Sequence, residues 1–351
     1  AGEHDRRAAL LAASNTSKFL EVVYANSLTE REERDDLALE LAALNNEGLV
    51  DVVAAFKSLK TISSNGPDFF LTRHVFEKTL PHLNAPVSSV MRCVLQLIRD
   101  AGEDMAAGTI LDGFIGFCAK DPSRPRDAIK EIESKPDELV DMLPATITAG
   151  SQIDNPYYLA EVIRLSQHTN IQLRQRAILS MSNVRWPEGE SVPDSAIAAL
   201  EQPAANEHDD QILAGVVNSA FALFQQDKAT ELRVTALIGI ALANGGEYTL
   251  HVASRLFGFH TNSLPSPLLN LLLDHLKHVR PENRGTLDRI DIGITHLLKS
   301  KPENGLRFLE DLLTAHAGKL TVKAFDSVGG EIRRTSTLLG KVLTRWFLRG
   351  E

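Results

Sequence analysis

Ile171-Gln-Leu-Arg-Gln-Arg-Ala-Ile-Leu-Ser-Met181 decides the fold. Leu173, Ala177 and Met181 recur every fourth residue, so a helix places them on one face. Arg174 follows the first apolar residue, and Ala177 is small enough for a neighbouring helix to approach closely. The same order, aliphatic, Arg, small, apolar, returns in Leu232-Arg-Val-Thr-Ala-Leu-Ile-Gly-Ile240, with Arg233 and Ala236 in the matching places. Met91-Arg92 is a weaker echo, and Ile332-Arg333 with Ser336 is another.

Outward from these stretches the helical period persists. Leu37, Leu41 and Leu44 share a face, as do Val90, Val94, Leu97 and Ile98 behind Pro86, a residue suited to a helix start. Leu287 to Leu298, Leu306 to Leu313 and Leu338 to Leu348 continue the pattern. Asn65-Gly-Pro67, Asp121-Pro122, Asn155-Pro156, Trp186-Pro-Glu-Gly189, Asn244-Gly-Gly246 and Lys301-Pro302 punctuate it. Ser134-Lys-Pro-Asp137 and Ser300-Lys-Pro-Glu303 are each expected to launch an amphipathic helix, with the acid favoured by the helix dipole. Lys319 to Phe325 alternates, but one strand cannot make a sheet. The predicted class is all-α.

The Arg174 and Arg233 stretches resemble the second helix of HEAT repeats, the helical hairpins of α-solenoids. The resemblance is firmest over residues 155–260. It implies an irregular superhelical array of antiparallel hairpins, because Arg174 and Arg233 stand 59 residues apart, longer than one unit and shorter than two. It also implies that such core arginines pair with an acid of the adjoining unit, so Arg174, Ala177, Arg233 and Ala236 are expected to hold repeats together. Residues 1–60, 61–185 and 186–351 are the expected segments, joined in one continuous array.

The chain has 351 residues, 43% of them hydrophobic, which excludes a disordered protein. Cys93 and Cys118, the only cysteines, are too few for a disulfide framework and suit a reducing, cytoplasmic setting. No apolar run approaches the roughly 20 residues that a membrane span needs.

No catalytic residue, metal site or cofactor is assigned. His275 and His278 could share a helical face beside Asp274, but no third ligand stands near them. Glu207-His-Asp-Asp210 resembles one step of the all-α metal-dependent phosphohydrolase signature, for which His168 and Asp227 are the nominal companions. A capping role for Asp209 or Asp210 explains it better. Cys93 and Cys118 lie in apolar surroundings and read as core. Glu32-Glu33 and Asp35-Asp36, interleaved with Arg31 and Arg34, read as a solvated helical face.

Charge is unevenly spread. Residues 1–150 hold 16 Lys/Arg against 24 Asp/Glu, residues 151–274 hold 7 against 13, and residues 275–351 hold 14 against 9. The basic end contains Arg333, Arg334, Lys341, Arg345 and Arg349, with Trp346 as a candidate anchor. These six residues are the expected partner-binding set, facing an acidic protein or another domain of the same polypeptide. Reversing Arg333, Arg334 and Arg345 to Glu is expected to weaken binding while leaving the melting temperature unchanged. The acidic remainder argues against a nucleic-acid cradle. The expected function is a non-catalytic protein-interaction scaffold. The alternatives are a nucleic-acid-binding or base-repair HEAT-like protein and a metal-dependent all-α hydrolase.

Overall fold

The computed structural model describes residues 3–14, 16–28, 31–61, 67–104, 107–187 and 189–349, with the side chains of 3, 4, 31–33 and 349 outside that description. All its extended elements are helices, and no strand occurs among the described residues. Contacts gather into two compact units, Ala1–Arg185 and Trp186–Glu351.

The first unit contains α1 (Glu3–Ala13), α2 (Phe19–Ser27), α3 (Arg31–Asn46), α4 (Val52–Lys57), α5 (Phe69–Thr79) and α6 (Val87–Ala101). It continues with α7 (Ile110–Ala119), α8 (Ser123–Ser134), α9 (Pro136–Leu139), α10 (Leu143–Ser151), α11 (Asn155–Ser166) and α12 (Ile171–Ser180). Helices α3, α5, α7, α10 and α12 pack in succession, while α4, α6 and α8 form a second row against them. Residues 1–60 belong with 61–185, since α2 and α3 pack on α5 and α4 packs on α6. Asp51, Asp68, Asp154 and Asn170 each cap the helix that follows, accepting from the backbone N–H of Ala54, Leu71, Tyr157 and Leu173.

The second unit contains α13 (Asp194–Asn206), α14 (Asp210–Gln226), α15 (Glu231–Asn244), α16 (Glu247–His260) and α17 (Ser266–Leu276), then α18 (Arg284–Ser300), α19 (Pro302–Ala315), α20 (Asp326–Arg334) and α21 (Ser336–Arg349). Helices α14, α16, α18 and α20 pack one on the next, and α13, α15 and α17 form a parallel row of contacts. The first three of that inner row begin at Asp210, Glu247 and Arg284, 37 residues apart each time. The repeat has a physical join. Asp210 accepts hydrogen bonds from the backbone N–H of Gly246, Tyr248 and Thr249, so an acid at the start of α14 caps the start of α16. One unit on, Glu247 accepts from Asn283 Nδ2 at 3.2 Å and pairs with Arg280 at 3.0 Å. Farther along, buried Asp291 of α18 accepts from Ser327 and Val328 at 2.9 Å and caps α20.

Two local readings gain detail. Ser134-Lys-Pro-Asp137 launches a helix with Pro136 and two acids in its first turn, but a short one: α9 stops at Leu139, and a 3-10 turn over Val140–Met142 leads into α10. The alternation of Lys319 to Phe325, expected to make no sheet, is not a strand. With no partner strand, the segment closes a 3-10 turn at Val322–Ala324, and Phe325 is buried.

Candidate functional site

Two acids of α19, Glu303 in its first turn and Glu310 two turns later, decide how the basic end is used. They lie seven residues apart and so share a helical face. Lys341 Nζ pairs with Glu303 at 2.8 Å, and Arg345 Nη1 reaches the same carboxylate at 3.0 Å. Arg345 Nη2 pairs with Glu310 at 2.7 Å, and the Trp346 indole N–H donates to the other Glu310 oxygen at 3.2 Å. Glu310 is 4% exposed, so this clamp neutralises a carboxylate held out of water. Hydrogen bonding from Lys341, reinforced by its charge, holds Glu303 below the ordinary carboxylate range.

Three of the six residues expected to bind a partner, Lys341, Arg345 and Trp346, are thus engaged within the chain and fasten α21 to α19. The expectation that Arg345 can be reversed without loss of stability is corrected on the same ground: a glutamate there would face buried Glu310. The side chain of Arg349 lies outside the described residues. Arg333 and Arg334 differ from the clamp residues. Both are exposed, neither makes an ion pair among the described residues, and Arg333 Nε donates only to the Gly329 carbonyl of its own helix.

Beside Arg333 an open groove of about 550 Å³ runs between α20 and α21. Phe325, Ile332, Leu339, Val342, Leu343 and Trp346 make its lining mainly apolar. Val328, Ile332, Leu338 and Val342 are buried where the two helices meet. The outer face of α21 is left uncovered, with Leu343 60% and Phe347 85% exposed. Leu339, Leu343 and Phe347 follow one another at four-residue spacing and form a ridge along the helix. That spacing is legible in the sequence, although Arg333, Arg345 and Trp346 draw attention first. A second depression, of about 450 Å³ between α17 and α19, is polar and already holds the Lys277–Asp274 pair at 3.2 Å.

The other candidates serve local structure. Arg233 pairs with Glu201 at 2.7 Å and Asp194 at 3.1 Å, joining α15 to α13. Arg174 donates to the carbonyls of His168 and Thr169 at 3.0 Å, bracing the turn before its own helix. Ala177 is fully buried, whereas Ala236 is exposed. Asp209 caps α14 through Ile212 N–H at 2.9 Å, and Asp227 accepts from Val192 and Ala229 N–H. His168 Nδ1 accepts from Asn170 N–H at 3.0 Å. His278 lies beyond the end of α17, so it does not share a helical face with His275. Among the described residues no three His, Cys, Asp or Glu side chains gather as a metal site would need. Burial pushes the Cys93 and Cys118 thiols up to about 12, which keeps them protonated and inert near neutral pH. Of the acidic run in α3, Glu32 and Glu33 lie outside the described side chains, while Asp35 pairs with Lys78.

No family model and no curated protein matches this chain. The crystal structure of an engineered protein aligns with 97% of this chain and 94% of its own, at 14% identity and a TM-score of 0.29, too low to carry any statement about fold or function. No helix among the described residues is long and apolar enough to cross a membrane.

Proposed function

We propose that this chain is a non-catalytic, intracellular interaction scaffold built from irregular HEAT-like helical pairs, and that it engages a protein partner at the α20–α21 end. The observation that carries the reading is the conjunction of an uncovered apolar ridge with two exposed arginines that make no ion pair among the described residues. Monomeric surfaces seldom present large apolar residues together unless something covers them. Cations beside such a patch favour an acidic partner and speed its arrival. The 37-residue recurrence of α14, α16 and α18 supports the repeat reading, because stacked units create long surfaces suited to macromolecular partners. The two buried thiols suit a reducing compartment.

Affinity capture from native lysate, with wild type and R333E/R334E compared by mass spectrometry, tests this. The expected result is a partner set recovered by wild type and lost from the variant at equal melting temperature. An unchanged set would overturn the assignment of this end.

One observation favours a second reading. Arg255 of α16 and Arg289 of α18 make no ion pair among the described residues, and Arg289 stacks over half-exposed Phe259 at 4.9 Å. An arginine–aromatic pair of this kind suits a nucleic acid, so a mobility-shift assay across a salt series separates the readings. Phosphate-dominated binding must fall steeply with salt.

A further inference from the structure

We infer that the occupant of the α20–α21 groove is an amphipathic helix of another protein, laid with its apolar face on the Leu339–Leu343–Phe347 ridge and its acidic flank against Lys323 and Arg333. This rests on the interaction-scaffold reading and names the chemistry of the partner.

Shape comes first. Both walls of the groove are helices, and no strand edge exists among the described residues onto which an extended peptide could add. A ridge of side chains at four-residue spacing packs into the groove between rows of another helix. The partner helix therefore needs apolar residues at i, i+3 or i+4, and i+7. Within this unit, buried rows pack helix on helix from α14 to α20, and an incoming helix would extend that packing.

Close approach comes second. Gly329 lines the groove, and a Cβ built there meets nothing within 4 Å. Many buried glycines of this chain make room for an internal neighbour: a Cβ at Gly293 would strike the Phe257 ring at 2.4 Å, and one at Gly113 the Glu77 carbonyl at 2.5 Å. The space over Gly329 is open among the described residues, and it brings the α20 backbone within reach of a docked helix.

Charge comes third. Lys323 and Arg333 line the groove, both exposed and without an ion pair among the described residues, against the single acid Asp326. Elsewhere in the chain, cations repeatedly find an acid on a neighbouring helix, as Arg164 does with Glu133 and Arg233 with Glu201. Glutamates flanking the apolar face of the partner would supply the missing acids, and a lysine-flanked helix would be repelled.

The test uses the full chain and a fluorescent helical peptide with leucine and phenylalanine at those positions and glutamates on both flanks, its lysine-flanked counterpart, and a scrambled control. Anisotropy should show the acidic peptide binding at least about tenfold more tightly than either control. A Cβ at position 329 meets nothing within 4 Å, so G329L projects into the groove and should abolish binding at an unchanged or higher melting temperature. R333E/R334E should reverse the preference toward the lysine-flanked peptide. Equal affinity for both flanks, or G329L binding like wild type, would overturn the inference. Loss of peptide binding while lysate capture still depends on Arg333 and Arg334 would leave the scaffold reading standing and remove the helical occupant. Concentration-dependent dimerisation of wild type, lost in G329L, would assign the groove to a second copy of this chain and equally overturn the inference.

Discussion

Arg345 Nη2 lies 2.7 Å from a carboxylate oxygen of buried Glu310, and this pair fixes the last helix of the second unit to α19. The basic end is consequently divided by role. Lys341, Arg345 and Trp346 hold α21 in place, while Arg333 and Arg334 face solvent, Arg333 on the lining of the groove.

Removing the clamp leaves a carboxylate buried with one fewer donor. Arg345→Ala is expected to cost about 2 kcal/mol, and Arg345→Glu more, because a second negative charge replaces the first positive one. Lys341→Ala, at an exposed site, should change stability by less than about 1 kcal/mol. Chemical denaturation of the three variants checks the order, and equal midpoints for Arg345→Ala and Lys341→Ala would contradict it.

Two helical glycines should respond with opposite sign. Gly329→Leu gains helix propensity in open space and should stabilise by about 0.5–1 kcal/mol. Gly293→Ala gains propensity too, but its methyl would collide with the buried Phe257 ring, so a loss of about 1–3 kcal/mol is expected. Thermal melts read both signs.

Acid should weaken the second unit through Asp210. Burial disfavours its ionised form, yet donation from the Thr249 hydroxyl and from the N–H groups of Gly246, Tyr248 and Thr249 outweighs burial and holds it below the ordinary carboxylate range. A depressed folded-state value means that the stabilisation is fully present above the unfolded pKa of about 4 and is lost as pH falls through the folded value. Asp210→Asn should therefore lower stability at neutral pH by about 1 kcal/mol and flatten the loss below pH of about 4. Denaturation midpoints across the acid range, wild type against variant, decide this.

Cys93 and Cys118 should resist thiol reagents in the folded chain and react on unfolding, since both are buried and raised to about 12. Labelling at neutral pH with and without denaturant checks it, and rapid labelling of the native chain would count against the fold around α6 and α7.

The helical class is legible because period and punctuation are local. The leucines of α3, the Val90 row of α6 and the stretches at 171 and 232 each carry their own signal. The second capping role at 207–210 is not, because Asp210 and Gly246, at the start of α16, lie 36 residues apart in the chain and meet only in the fold. The use of the basic end is hidden for the same reason. A run of cations reads alike whether it faces solvent or a neighbouring helix, and only folding brings Glu303 and Glu310 to Lys341 and Arg345. Local alternation at Lys319 to Phe325 carries no strand, because no second strand exists among the described residues to pair with it.

The most direct test of the account is amide hydrogen exchange on the full chain, alone and bound to the partner recovered by capture. The account predicts protection concentrated in α20 and α21, from Asp326 to Arg349, and absent in G329L. Protection confined to the first unit, or an α20–α21 segment that exchanges at the same rate with and without partner, would contradict it.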